Sequence, residues 1–88
     1  MRILELMNYC VYILYSEKMD RYYIGYTNDI NRRLAEHNRR KKKYTDRGIP
    51  WIVVYMEEYG CKDEAMLREK EIKSMKSRKY IEGLIIDQ

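Results

Sequence analysis

The chain has 88 residues, 45% hydrophobic and 36% charged, and 18 Lys and Arg against 14 Asp and Glu leave a net charge of +4. That length predicts one domain over residues 1–88, with a small core and no separate targeting module. No stretch approaches a membrane span, the apolar start Met1–Met7 is too short for a secretion signal and is interrupted by Glu5, and two cysteines (Cys10 and Cys61) without metal-ligand spacing point to a reducing, cytoplasmic interior.

Residues 9–16 are β-branched and aromatic on both faces, which predicts a strand covered on both sides. A short polar connection leads to a hairpin partner over residues 21–27. Gly25 in that strand marks a close backbone approach or a bend, and simple packing accounts for it equally well. Asn28 or Asp29 caps a first helix over residues 29–41. Ile30, Leu34 and His37 share one face of it, and Arg33 sits at the edge of that face. The run Arg39–Lys43 is too charged to be buried, so it ends the helix and opens a loop, and Gly48-Ile49-Pro50 breaks the chain again. Trp51–Glu58 reads as a third strand, closed by Gly60. Asp63 is expected to cap a second helix over residues 63–76. Ser77 is expected to cap a last one over residues 78–85, docked through Tyr80, Ile81, Leu84 and Ile85. The order strand, strand, helix, strand, helix, helix gives an α/β fold, with a small three-stranded, mainly antiparallel sheet flanked by three helices.

Charge is unevenly spread. Residues 31–47 hold eight cations: Arg32, Arg33, Arg39, Arg40, Lys41, Lys42, Lys43 and Arg47. Such a density attracts polyanions, nucleic acid first, although a solvated face explains a basic run as well. Glu69 contradicts its surroundings. At 100° per residue it falls beside Ala65 and Ile72, on the inward stripe of the second helix. A carboxylate there needs a metal or a partner such as Lys73, one turn on. His37, the single histidine, faces inward, where most such residues are satisfied core groups. Arg33 offers a planar fork suited to phosphate oxygens. Ten tyrosines with no phenylalanine put several phenols on the sheet, most of them for packing.

Taken together, these residues resemble the GIY-YIG endonuclease family over nearly the full chain. Cys10-Val11-Tyr12 stands at the first name-giving motif, with Cys10 where glycine is usual, and Tyr23-Ile24-Gly25 matches the second. Arg33 matches the family arginine, His37 a position that is often His or Tyr, and Glu69 the helical metal-binding glutamate. The likeness is greatest to small single-domain members similar to the nuclease module of the bacterial excinuclease C subunit. That module carries an asparagine after the metal glutamate, whereas this chain has none after Asn38. The resemblance implies hydrolysis of DNA phosphodiester bonds with one Mg²⁺ (or Mn²⁺), in DNA repair or recombination, with RNA left open as a substrate. It implies a catalytic set of Tyr12, Tyr23, Arg33, His37 and Glu69. Glu69 would hold the metal, Arg33 would neutralise phosphoryl oxygens, Tyr12 or Tyr23 would serve the attacking water, and His37 would relay its proton. Arg39, Arg40, Lys41, Lys42, Lys43, Arg47 and Lys73 would hold flanking nucleic acid. The alternative is a catalytically weak nucleic-acid-binding module on the same fold. A weaker third reading is an adaptor that recruits a protein partner through its Tyr and Trp51 surface.

Overall fold

The computed structural model describes residues 8–88. The apolar start, Arg2 included, lies outside the described residues. In chain order the elements are β1 (Tyr9–Ser16), β2 (Arg21–Thr27), α1 (Ile30–His37), a 3₁₀ turn (Tyr44–Gly48), β3 (Ile52–Tyr59), α2 (Lys62–Ser74) and α3 (Arg78–Ile86). The expected α/β order is therefore present. The strands run β2-β1-β3, with both pairings antiparallel. Among the described residues no helix is long and apolar enough to cross a membrane.

The central position of β1 follows from its composition. Val11, Tyr12, Ile13 and Leu14 are all buried, so both faces of the strand need cover. Val11 packs with Ala65 and Ile72 of α2 and with Ile81 and Leu84 of α3. Tyr12 and Leu14 pack on the opposite face with Ile30 and Leu34 of α1 and with Trp51. Each fully buried Val, Leu or Ile side chain contributes about 1.5–3 kcal/mol, so this one strand anchors both halves of the core. Trp51 is only 4% exposed and is enclosed within the chain. Its indole lies against Gly48, where an added Cβ would come within 2.5 Å of the ring.

Three helix ends differ from expectation. α1 stops at His37 rather than near residue 41, because other partners claim the backbone and side chains that follow. The Asn38 amide donates to Trp51 O at 3.0 Å, and Asn38 Oδ1 accepts from Trp51 N at 2.6 Å. Beyond it, one oxygen of Asp46 accepts from the amides of Lys41 (2.8 Å), Lys42 (2.6 Å) and Lys43 (3.4 Å). At the start of α2 the N-cap is Cys61, which makes no side-chain bond, and Asp63 lies inside the first turn beside Glu64. Both acids there favour the positive end of the helix dipole. α2 ends at Ser74, with Lys76 turning to φ 47°. Asp29 and Ser77 cap as expected, Asp29 accepting from Arg32 N at 3.1 Å and Ser77 from Tyr80 N at 3.0 Å.

A polar knot ties β3 to the two C-terminal helices. Arg68 donates to Glu57 through Nε (2.8 Å) and Nη2 (2.9 Å), and its Nη1 reaches Glu71 (2.8 Å) and Tyr80 Oη (3.2 Å). Tyr59 and Tyr55 also donate to Glu57. The Arg68 guanidinium leads these donors in holding the Glu57 carboxyl down at about 2. Glu57→Gln leaves donors facing donors at a site where both partners are under 20% exposed. The expected loss is about 1–2 kcal/mol after allowance for solvent screening, or roughly 5–15 °C in Tm for a domain this size. The stabilisation belongs to the ionised carboxylate, so the wild type should lose it as pH falls from the ordinary glutamate range towards 2. Thermal melts of both proteins from neutral to acid pH check both statements, and the two curves should converge at the acid end.

Candidate active site

The site is built on a cross-strand pair. Tyr12 of β1 lies directly opposite Gly25 of β2, and its phenol crosses the space a side chain would fill. A Cβ on Gly25 would stand 2.5 Å from Tyr12 Oη and 2.7 Å from Cζ. Of the readings open at Gly25, the close approach is the one realised. Tyr12 is 1% exposed, so its ring has nowhere to retreat. Gly25→Ala should displace the hydroxyl. The expected result is about 100-fold lower turnover, since an ångström of misplacement can cost that much, with about 1–3 kcal/mol of overpacking. Single-turnover rates and thermal melts measure the two effects separately.

Tyr12, Tyr23 and Gly25 share the face of the sheet covered by α1, whereas Tyr9 and Tyr26 belong to the other face. Residues from both faces line a cleft of about 270 Å³, together with Arg33 of α1 and Glu69 of α2. The edge strand β2 is narrowed at Gly25, and the cleft wraps around it. This brings Glu69 to Tyr12 although α2 packs behind the sheet. Arg32, Asn28 and Lys62 also border the cleft. A second cleft of about 270 Å³ adjoins it, sharing Tyr23 and Arg33 and adding Glu36, His37, Lys41, Lys43 and Thr45.

The α1 side chains owe their placement to Asn38. Its two-point bond to the Trp51 backbone pins the end of the helix to the start of β3. His37, one residue earlier, is thereby set with Nε2 3.3 Å from Tyr12 Oη. The Tyr23 ring meets the imidazole edge-on at 4.4 Å between centroids. Burial, and after it the charges of Arg33 and Lys41, hold His37 below the usual imidazole range. Burial also pushes the Tyr12 phenol up to about 12, against the opposing pull of Arg33. A cation could have lowered that phenol, but here desolvation wins. Arg33 is half exposed and is steered by Glu36, whose Oε1 accepts at 3.0 Å. Glu69 is 16% exposed and pairs through Oε2 with Lys73 at 3.2 Å.

Tyr12, Tyr23, Arg33 and Glu69 thus meet in one cleft, with His37 behind Tyr12. Lys41 and Lys43 reach the adjoining cleft, and Lys73 stands against Glu69. Arg39, Arg40, Lys42 and Arg47 line neither cleft, and Arg47 instead lies over the exposed Tyr44 ring at 5.4 Å. Asn38 and Asp46, which shape the site, do not stand out among the candidate residues of the sequence. An asparagine directly after the last helical residue was the available signal for the first. Nothing local marked Asp46 as the residue that shapes the lysine loop.

The family model of the GIY-YIG catalytic domain matches residues 8–81. The chain belongs to the GIY-YIG family. It is similar to a UPF0213 protein of Streptococcus pneumoniae, 46% identical over 56 residues, which is 62% of this chain and 57% of that protein. A UPF0213 protein of Natronomonas pharaonis is 43% identical over 67 residues, covering 75% of this chain and 78% of its own. Among solved structures, the solution NMR structure of a UPF0213 protein from Bacillus halodurans superposes with a TM-score of 0.59 at 32% identity, covering 93% of this chain and 86% of that one. The GIY-YIG domain is of nuclease type and implies binding of nucleic acid. The matched stretch spans less than two thirds of the pneumococcal relative's length.

Proposed function

We propose that this GIY-YIG protein is an endonuclease that hydrolyses phosphodiester bonds of DNA with the help of one divalent ion, Mg²⁺ or Mn²⁺. The observation that carries this reading is the convergence of a carboxylate, two phenols and a guanidinium from four separate elements on one cleft. Glu69 is the residue that would hold the ion. One of its oxygens takes the Lys73 ammonium and the other has no described protein partner. Among the described residues no three His, Cys, Asp or Glu side chains gather into a metal-binding group. A single carboxylate suits a hard cation that keeps most of its waters, and is too few ligands for zinc. When bound, such an ion neutralises charge building on the leaving oxygen.

The chain's own groups do the rest. Tyr12 stays protonated at neutral pH, since burial places its phenol at about 12. It therefore acts as a conduit, taking a proton from the attacking water at Oη while passing its own to His37 Nε2, 3.3 Å away. His37 can accept because its surroundings keep it neutral. Arg33 forks onto the non-bridging oxygens as negative charge grows there. Tyr23 walls the cleft and fixes the imidazole. Lys41 and Lys43 hold the flanking backbone, so binding should weaken steeply with salt. Free thiols at Cys10 and Cys61 suit the reducing cytoplasm, and a role in repair or recombination follows if branched or nicked DNA is preferred.

Nicked, flapped, branched and linear DNAs incubated with the purified chain, in Mg²⁺ and in EDTA, test the proposal. Metal-dependent cleavage of at least one of them is expected. Tight binding of all without cleavage of any would replace the endonuclease with a binding module on the same scaffold.

A further inference from the structure

Behind the sheet, away from the lysine loop, a cleft of about 320 Å³ opens between β2 and the joint of α2 with α3. Its floor is apolar, made by Ile24, Ile72 and Ile81, and its rim carries Arg21, Lys73, Lys76 and Arg78 with no carboxylate among the lining residues. The four cations are not equivalent. Arg78 is committed to the fold: it donates to Asp20 Oδ1 (2.5 Å), Asp20 O (2.9 Å) and Glu82 (3.0 Å), and stacks over Tyr22 at 5.0 Å. Lys73 faces Glu69. Arg21 and Lys76 are exposed and have no carboxylate partner among the described residues.

Lys76 stands at the turn that ends α2. It occupies the left-handed backbone region at φ 47°, directly after α2. That position ordinarily goes to glycine, and an L side chain there costs about 1–2 kcal/mol. Here a lysine holds it, and its side chain lines the cleft. The turn that ends α2 thus brings a fourth cation to an already positive rim.

The cleft neighbours the active site through one ion pair, Lys73 of its rim to Glu69 of the other cleft at 3.2 Å. Glu69 and Lys73 form the divide, one turn apart on α2. At 1.5 Å per residue, Lys73 lies about 6 Å along the helix axis from Glu69, and Lys76 lies past the end of α2 at Ser74. A nucleic-acid strand rises about 3.4 Å per nucleotide, so Lys73 stands about two nucleotides from the bond that Glu69 serves, with Lys76 beyond it.

We infer that this rear cleft is a second backbone-binding site. It receives the sugar–phosphate chain of the same substrate after that chain leaves the Arg33–Glu69 cleft, on the side opposite Lys41 and Lys43. Arg21 and Lys76 neutralise its phosphates, and the half-buried Ile24 and Ile81 take the apolar faces of its sugars. The inference rests on the nucleic-acid reading above and extends it to a substrate gripped on both sides of the cleaved bond.

The test is fluorescence-anisotropy titration of labelled DNA in EDTA, over a series of salt concentrations, with the full chain. Arg21→Ala/Lys76→Ala should bind about tenfold more weakly at low salt. Its log K against log salt plot should be shallower by about 1.8, as expected when two phosphates go unneutralised. Lys18→Ala, a lysine on the β1–β2 turn that lines none of the three clefts, should match the wild type in both respects. DNA shortened by three or four nucleotides on one side of the cleavage position should cost the wild type the same affinity and leave the double variant indifferent. An unchanged affinity and slope in Arg21→Ala/Lys76→Ala, beside a clear loss in Lys41→Ala/Lys43→Ala, would overturn the rear cleft while leaving the front one. A chain that binds on both sides but never cleaves would sink the hydrolytic reading and leave this inference standing.

Discussion

Glu69→Gln should abolish metal-dependent cleavage, by at least about 1,000-fold, while the protein stays folded and binds DNA in EDTA at least as well as before. Gln is isosteric, keeps one carbonyl oxygen, and can remain on the α2 face beside Ala65 and Ile72. It removes the negative charge, which is the one feature a hard cation needs at a site with a single carboxylate. On the proposed mechanism the leaving oxygen then goes unsupported, typically at a cost of several kcal/mol in the transition state, and each 1.36 kcal/mol is a factor of ten. Stability should move little, because the ion pair removed is with Lys73, which is 52% exposed and can return to solvent. Freed from that pairing, Lys73 is also available to phosphate, hence the undiminished binding. The measurements are cleavage in Mg²⁺, anisotropy in EDTA and a thermal melt. Cleavage at the wild-type rate would remove Glu69 from the mechanism.

The second large effect is expected at Arg33. Arg33→Ala should lower turnover by about 100- to 1,000-fold, the range for deleting one preorganised donor to a developing anion. Arg33→Lys should recover little of it, because a point charge on a flexible stem does not reproduce the fork. Folding should be spared, since the substitution breaks only a half-exposed pair with Glu36. Arg33 also has a readout that a structural role would not share. Its charge is among the causes that keep His37 below the usual imidazole range, with burial first and Lys41 beside it, opposed by Glu36. Removing one cation raises the His37 pKa. In the proposed proton path activity needs the neutral imidazole and is lost as pH falls through that pKa, so the acid limb of the rate profile should move to higher pH in Arg33→Ala. A pure drop in rate with an unmoved acid limb would separate Arg33 from the Tyr12–His37 pair.

The strands were the most legible part of the sequence. A run such as Val11-Tyr12-Ile13-Leu14, apolar on both faces, suits only a strand covered on both sides, and β1 lies there. The residues of the candidate site were legible because each was out of place: Glu69 on an inward stripe, His37 beside Leu34, Gly25 inside a strand. Their meeting was implied only by the family resemblance, not by any local pattern. Glu69 and Tyr12 belong to opposite faces of the sheet, and only the narrow edge at Gly25 lets one cleft reach both. Helix ends failed where distant groups compete for backbone. The charged run after His37 has good helical propensity, yet Trp51, 13 residues beyond Asn38, and Asp46, three to five residues beyond the lysines, take the polar groups that a longer helix would use. The basic stretch was too coarse a unit. Of Arg39–Lys43 and Arg47, only Lys41 and Lys43 line a cleft, and Arg21 and Lys76, isolated in sequence, line another.

The Asp46 latch on the amides of Lys41, Lys42 and Lys43 has a bearing on how fast the protein can engage a target. Long flexible lysines on a floppy segment forfeit much of their attraction in becoming ordered. Here the backbone under them is already set before any target arrives, by a carboxylate from the same short stretch. Capture should then be limited by diffusion and electrostatic steering rather than by loop rearrangement, and freeing the latch with Asp46→Ala should slow the association rate while leaving the net attraction of the surface higher by one charge.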